Sequence, residues 1–237
     1  MRYFGSYIGC KELKGDYVGD KVAAWASVVS DLAKLAVKHP QSVYAGYTIC
    51  LQNEWTYLCR TTPDIAHLME PLERVLRNEL LPAFLGVQKE DITNEFRELL
   101  AFGVKGGGLG IRNPMMVAEE FYNTSLDCCN YLVETMISAE QLDQVRHKAH
   151  ISDAVHRAGQ CRHLTEADAY ERRSRGKPAV KRRYRKALHG TGLFLTAIPS
   201  RMNGTSSRLK SCATTFAFST TSNPWTCRST AMAVAPR

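Results

Sequence analysis

Val104-Lys105-Gly106-Gly107-Gly108-Leu109-Gly110-Ile111-Arg112-Asn113-Pro114 is the only dense glycine cluster in the chain. A phosphate loop needs Gly-Lys-Ser/Thr opening a helix, but here Gly110 is followed by Ile111 and Arg112. The dinucleotide pattern G-x-G-x-x-G fails as well, because its last glycine falls on Ile111. Glycine also lets the backbone turn with positive φ. The cluster therefore reads as a turn between two helical layers, with Leu109 and Ile111 facing inward.

Helical spacing extends from it in both directions. Before the cluster, Ile92, Phe96, Leu99 and Leu100 mark a short helix, and Thr62-Pro63-Asp64 opens a segment carrying Ile65, Leu68, Met69, Leu72, Leu76 and Leu80. Pro71 lies inside that segment and should kink or restart it, since it lacks an amide donor and crowds the preceding turn. Val43, Tyr44, Tyr47, Leu51, Trp55 and Leu58 share one face of an earlier helix starting near Pro40. Val22, Trp25, Val29, Leu32 and Ala36 form another, with Asp20 as its N-cap. The opening residues, Arg2 to Gly9, are aromatic and β-branched with two glycines, which favours a short strand or hairpin. A strand starting at the first residue has no obvious partner nearby.

After the cluster, Val117, Phe121, Leu126, Cys129, Leu132 and Met136 predict a helix over about 116–136. Ser138-Ala139-Glu140-Gln141 has the capping-box pattern and predicts the start of the next helix. The sequence is then polar to Lys186, anchored only by Leu142, Val145, Ile151, Val155 and Leu164 and interrupted at Gly176-Lys177-Pro178. The fold class is mainly α: a helical bundle with a short N-terminal strand, a long basic helix and a C-terminal tail. The organisation predicted is 1–19 strand or hairpin, 20–137 bundle, 138–188 polar to basic helical segment, 189–210 small apolar segment (Leu193 to Pro199), and 211–237 disordered tail.

The net charge of +8 is divided sharply. All 23 acids precede residue 172, against 17 lysines and arginines, while 14 lysines and arginines and no acid follow. A near-neutral globule with a strongly cationic end suits polyanionic partners. Nine of those cations fall in one run: Arg172, Arg173, Arg175, Lys177, Lys181, Arg182, Arg183, Arg185 and Lys186. With Tyr170 and Tyr184 at its borders, the run is the candidate nucleic-acid site, through phosphate contacts and base stacking. No apolar run approaches the roughly 18–20 residues that span a bilayer, and the N-terminus lacks a signal-peptide pattern. The expectation is an intracellular protein, cytoplasmic or nuclear, without membrane or small-molecule partners.

Other chemistry is weakly supported. The eight cysteines show no C-x-x-C pair, which suits reduced thiols, several of them buried. His147, His150, His156 and His163, with Cys161, match no standard zinc spacing, although His147 and His150 can share a helix face. No paired carboxylates suggest a polymerase or nuclease centre, and no local Ser/His/Asp or Cys/His pattern suggests a nucleophile. Neither a cofactor nor a metal is expected.

Several segments together resemble the region just downstream of the polymerase core in retroelement reverse transcriptases. They are Arg2 to Gly9, Trp55-Thr56-Tyr57-Leu58-Cys59-Arg60-Thr61, Leu72-Glu73 with Ile65 and Pro71, Leu81-Pro82-Ala83, Gly107-Gly108-Leu109-Gly110-Ile111, and Leu195 to Thr205. The similarity runs from Arg2 to about Lys210 and rests on their order and spacing. It implies that the opening strand, with Phe4 in place of the usual leucine, follows the catalytic aspartates. It also implies that the helices form a thumb-like domain holding template and product. The metal-binding aspartates would lie upstream of Met1, so the resemblance implies a truncated piece without polymerase activity. One further sign concerns the tail. Codons permitted for Ser211 to Pro236, read in a frame opened by the last nucleotide of the Lys210 codon, can encode leucines at helical spacing, a proline turn and a C-x-x-C. That is similar to how the family continues, and it suggests a frameshift near Lys210. The alternative reading is a free-standing helical protein-interaction module; an enzyme with an unrecognised spatial site ranks below both.

Overall fold

The computed structural model describes residues 2–3, 6–7, 9–104 and 107–175. The architecture is mainly α. Strands β1 (Arg2–Tyr3) and β2 (Ser6–Tyr7) pair antiparallel, Arg2 opposite Tyr7 and Tyr3 opposite Ser6. The opening strand thus finds its partner four residues on, in its own hairpin. Ser6 Oγ lies 3.0 Å from Thr62 Oγ1, and the Tyr7 ring rests 5.9 Å from Tyr17, so the hairpin sits on the helical body.

Helix α1 (Lys11–Ala36) is longer than its spacing from Asp20 predicts, with Cys10 at the N-cap. Tyr17 and Val18 continue the stripe of Val22, Val29, Ala33 and Ala36, and all six are buried. Burying Tyr17 and Val18 at about 1.5–3 kcal/mol each outweighs the roughly 1 kcal/mol that Gly15 and Gly19 each cost a helix.

The next helical stretch runs from α2 (Pro40–Ala45) through a π-helical segment (Gly46–Leu51) into α3 (Gln52–Thr61). It buries Val43, Tyr44, Tyr47, Leu51, Trp55, Leu58 and Cys59. A 3-10 turn (Ala66–Met69) then leads to α4 (Glu70–Val75), a second π segment (Leu76–Leu80) and α5 (Leu81–Leu85). Pro71 and Pro82 each stand in the first turn of a new α segment, where the missing amide is harmless. Gly86, at φ +68°, closes α5 in the left-handed conformation.

Helix α6 (Asn94–Ala101) is capped by Thr93, whose hydroxyl accepts from Phe96 N at 3.2 Å. The glycine cluster follows and folds back over the end of α6. Leu109 N and Ile111 N both donate to Leu100 O, and Gly110 N donates to Phe102 O at 2.8 Å. Gly107 and Gly110 take positive φ. Gly108 is required for a different reason: a Cβ there would lie 2.2 Å from Phe102 O and 2.5 Å from Leu99 O. Leu109 and Ile111 are both 2% exposed and point into the core.

Asn113 Oδ1 accepts from Met115 N at 2.9 Å and so caps α7 (Pro114–Ser138). The helix does not end where the capping-box pattern suggests. Ser138 is its last residue, and Ala139 turns left-handed with its N–H directed to Met136 O. Asp143 caps α8 (Gln144–Ser174) instead, its Oδ1 accepting from Val145 N and Arg146 N. Leu126 and Met136 are also not core residues: they are 48% and 71% exposed, whereas Ala118, Cys128 and Thr135 are buried.

The core lies where α1 packs on α2, α4, α5 and the 76–80 segment, and where α3 packs on α7. Helix α8 returns antiparallel along α7: His150 meets Asp127 O, and Arg162 pairs with Glu120 further back along α7.

Candidate nucleic-acid interface

The cationic run begins at the C-terminal end of α8, and that end is seated on α6. Tyr170 packs on Phe102 with ring centroids 5.5 Å apart, Ala169 is buried beside them, and Glu166 Oε1 accepts from Gly103 N at 3.3 Å. Arg173 Nη1 donates to Glu95 O at 2.9 Å, and Arg172 Nη2 lies 3.5 Å from Glu98 Oε1. Glu95, Glu98, Phe102, Tyr170, Arg172 and Arg173 line a cleft of about 260 Å³. Arg175 stands exposed just past the last turn.

Three of the nine predicted cations are therefore brought together at one helix end. Lys177, Lys181, Arg182, Arg183, Arg185, Lys186 and Tyr184 lie outside the described residues, as do the small apolar segment and the tail. Tyr170 is not a stacking platform for a base. It is 6% exposed, because its ring fills the contact between α8 and the end of α6. The Arg172–Glu98 pair is solvent-exposed on both sides, and such pairs hold at most about 1 kcal/mol, so Arg172 can exchange its carboxylate for a phosphate at small cost.

A second cationic cluster was hidden from sequence reasoning. Arg112, from the glycine cluster, lies over the Phe121 ring at 5.6 Å, next to Glu120, whose Oε1 is 2.7 Å from Arg162 Nε. Burial lowers the Arg112 pKa from its usual value, and the like charge of Arg162 adds to this. Burial likewise raises the Glu120 pKa, against the pull of Arg162 and Arg112. One turn-pair further along, Arg157 Nη2 meets Asp127 Oδ2 at 2.6 Å. Arg157 and Arg162 are 30 to 50 positions from Asp127, Glu120 and Arg112, and only the antiparallel α7–α8 packing brings them together.

His147 and His150 do share a face, both against the Tyr131 ring, with centroids at 6.0 and 6.2 Å. Among the described residues no group of three or more His, Cys, Asp or Glu side chains is placed to hold a metal ion. No described helix is long and apolar enough to cross a membrane.

Comparison with protein-family models, with curated proteins and with solved structures finds no match for this chain.

Proposed function

We propose that this chain is a non-catalytic, thumb-like piece of a retroelement reverse transcriptase, and that it binds RNA or DNA weakly and without sequence preference. The observation that carries the binding is the charge step at the end of α8. The last acid of the chain is Glu171, and from Arg172 onward 14 cations follow unopposed in sequence. Arg172, Arg173 and Arg175 open that cationic section at the end of a 31-residue helix. A cationic helix end recognises the phosphate backbone, not base edges, so affinity should fall steeply with salt. The family assignment is supported by the order of the matched segments from Arg2 to about Lys210, and the mainly helical body suits a domain that holds a duplex by its backbone. A filter-binding titration of single-stranded RNA and DNA at low and at physiological salt tests the binding; no retention at low salt would end the proposal. The coding DNA tests the origin: it predicts paired aspartates in a frame upstream of Met1 and a C-x-x-C in a shifted frame after Lys210.

A further inference from the structure

Helix α7 has two apolar faces, and among the described residues the bundle covers one of them and leaves the C-terminal half of the other open. Cys128 and Thr135 are buried on one side, and Glu120, Asp127 and Tyr131 meet α8 on another; Ala118, two turns before Leu126 and on the line of the third side, is also buried, so that side opens only beyond it. Tyr122, Leu126, Cys129, Val133 and Met136 follow each other at steps of four, three, four and three on the remaining side. Leu126 and Val133 are each 48% exposed and Met136 71%, with Ile137 beside them at 80%. Fifteen residues of helix make a stripe about 21 Å long, and its period is that of a seam between paired helices.

The charge around this stripe is one-sided. From Asn113 to Val145 the chain has six acids (Glu119, Glu120, Asp127, Glu134, Glu140 and Asp143) and no lysine, arginine or histidine, although the whole chain carries +8. Glu120 and Asp127 are paired with Arg162 and Arg157 of α8. Glu119 and Glu134 are exposed on the open side, and Glu140 and Asp143 lie past its end. Docking two copies of this face together would set acid against acid, which disfavours self-pairing. A helix with an apolar seam and a cationic flank matches both the stripe and its acidic rim.

We infer that the open face of α7 is a docking surface for an amphipathic helix of another protein, with lysine or arginine along the flank of its apolar seam that meets these glutamates. Leu126, Val133 and Met136 supply the apolar contact, and Glu119 and Glu134 set the polarity of the partner.

The test uses the full chain and a labelled three-heptad peptide with Leu at the a and d positions and Lys at e and g, followed by fluorescence anisotropy at physiological salt. Binding should be at least about tenfold tighter than to a scrambled peptide of the same composition. Leu126→Asp with Val133→Asp should weaken it by about tenfold or more, while Leu35→Asp, at an exposed site on α1, should leave it unchanged. Glu119→Lys with Glu134→Lys leaves the stripe intact; it should weaken the Lys peptide and admit a version with Glu at e and g. Equal binding of the scrambled peptide, no binding at all, indifference to both pairs of substitutions, or a concentration-dependent dimer that Leu126→Asp with Val133→Asp dissociates would each overturn the proposal.

Discussion

Arg97 and Glu73 meet in the core through two parallel bonds, Nε to Oε1 at 2.6 Å and Nη2 to Oε2 at 2.7 Å. The residues are 4% and 9% exposed. The same guanidinium donates from Nη1 to Ile111 O at 2.8 Å and from Nη2 to Arg112 O at 3.2 Å. One side chain of α6 therefore ties α4 to the far end of the glycine cluster. Tyr44 Oη to Leu109 O at 2.6 Å and Arg112 N to Gln52 Oε1 at 2.9 Å fasten the same loop from α2 and α3. The cluster is thus a clasp in the core: the amides of residues 107–112 and the carbonyls of Leu109, Ile111 and Arg112 are already engaged by protein groups.

Removing one partner of that pair leaves the other charge buried without its counter-charge. Arg97→Ala should lower unfolding free energy by about 3–5 kcal/mol in a urea titration, and Glu73→Ala by a similar amount. The double variant Arg97→Met with Glu73→Leu should cost much less than the two single losses combined, since both charges go together. Additive losses would show that the two side chains do not act as a pair.

The glycines of the clasp should separate by mechanism. Gly108→Ala puts a methyl group against two backbone carbonyls and should cost more than about 2 kcal/mol, because backbone has to move. Gly110→Ala meets open space but holds φ at +69°, a strain of roughly 1–2 kcal/mol. Gly103→Ala meets nothing and should stay within about 0.5 kcal/mol of the parent. Thermal midpoints in the order Gly103→Ala, Gly110→Ala, Gly108→Ala, highest first, are the expected result.

Two buried tyrosines should respond with opposite signs. Tyr44 donates its hydroxyl to Leu109 O, so Tyr44→Phe should destabilise by about 1 kcal/mol or more. The Tyr47 hydroxyl is buried with no hydrogen-bond partner among the described residues, so Tyr47→Phe should be neutral or stabilising. Burial pushes the Tyr44 pKa up to about 12 from an ordinary value of 10. A group whose folded pKa is raised contributes stability below its unfolded pKa and loses it as pH rises through the folded one. Urea midpoints should therefore fall between pH 10 and pH 12, and Tyr44→Phe should flatten that fall.

Thiol labelling checks the core directly. Cys59 is fully buried, and burial pushes its pKa up to about 12; burial also raises that of Cys128. Cys10, Cys50, Cys129 and Cys161 are exposed. A short iodoacetamide pulse at pH 8, mapped by peptide mass, should modify the exposed four and spare Cys59 and Cys128 until the chain is denatured. Native labelling of Cys59 at the rate of Cys50 would contradict this packing.

The sequence revealed those elements whose apolar residues recur on one face and whose ends carry local signals. Val43 to Leu58, Ile65 to Leu80, and the inward Leu109 and Ile111 fall in this class. It misled where a local signal competes with packing. Asp20 is a good cap, but Tyr17 and Val18 extend the buried stripe past it. Ser138 fits a capping box, yet Ala139 can turn left-handed and α7 uses Ser138 as its last residue. Leu126 and Met136 keep helical spacing with the core positions but belong to the second apolar face of α7, and periodicity alone does not say which face is covered. Arg97 with Glu73 and Arg112 with Arg162 were illegible because charged residues far apart in sequence read as surface until tertiary packing brings them together. At the candidate interface, the cations were legible from charge alone, whereas Tyr170 needed the position of Phe102 to be recognised as a packing residue.

The proposed function rests on a salt-dependent grip on nucleic acid by the cationic end of α8. Its most direct test is anisotropy of a labelled single-stranded oligonucleotide across a salt series, with the parent chain and with Arg172→Ala, Arg173→Ala and Arg175→Ala combined. The account predicts binding to both RNA and DNA, a log–log salt dependence of clearly negative slope, and a slope shallower by about 2 in the triple variant, at roughly 0.7 per lost phosphate contact. No binding at low salt, or a slope that the triple variant leaves unchanged, would contradict it.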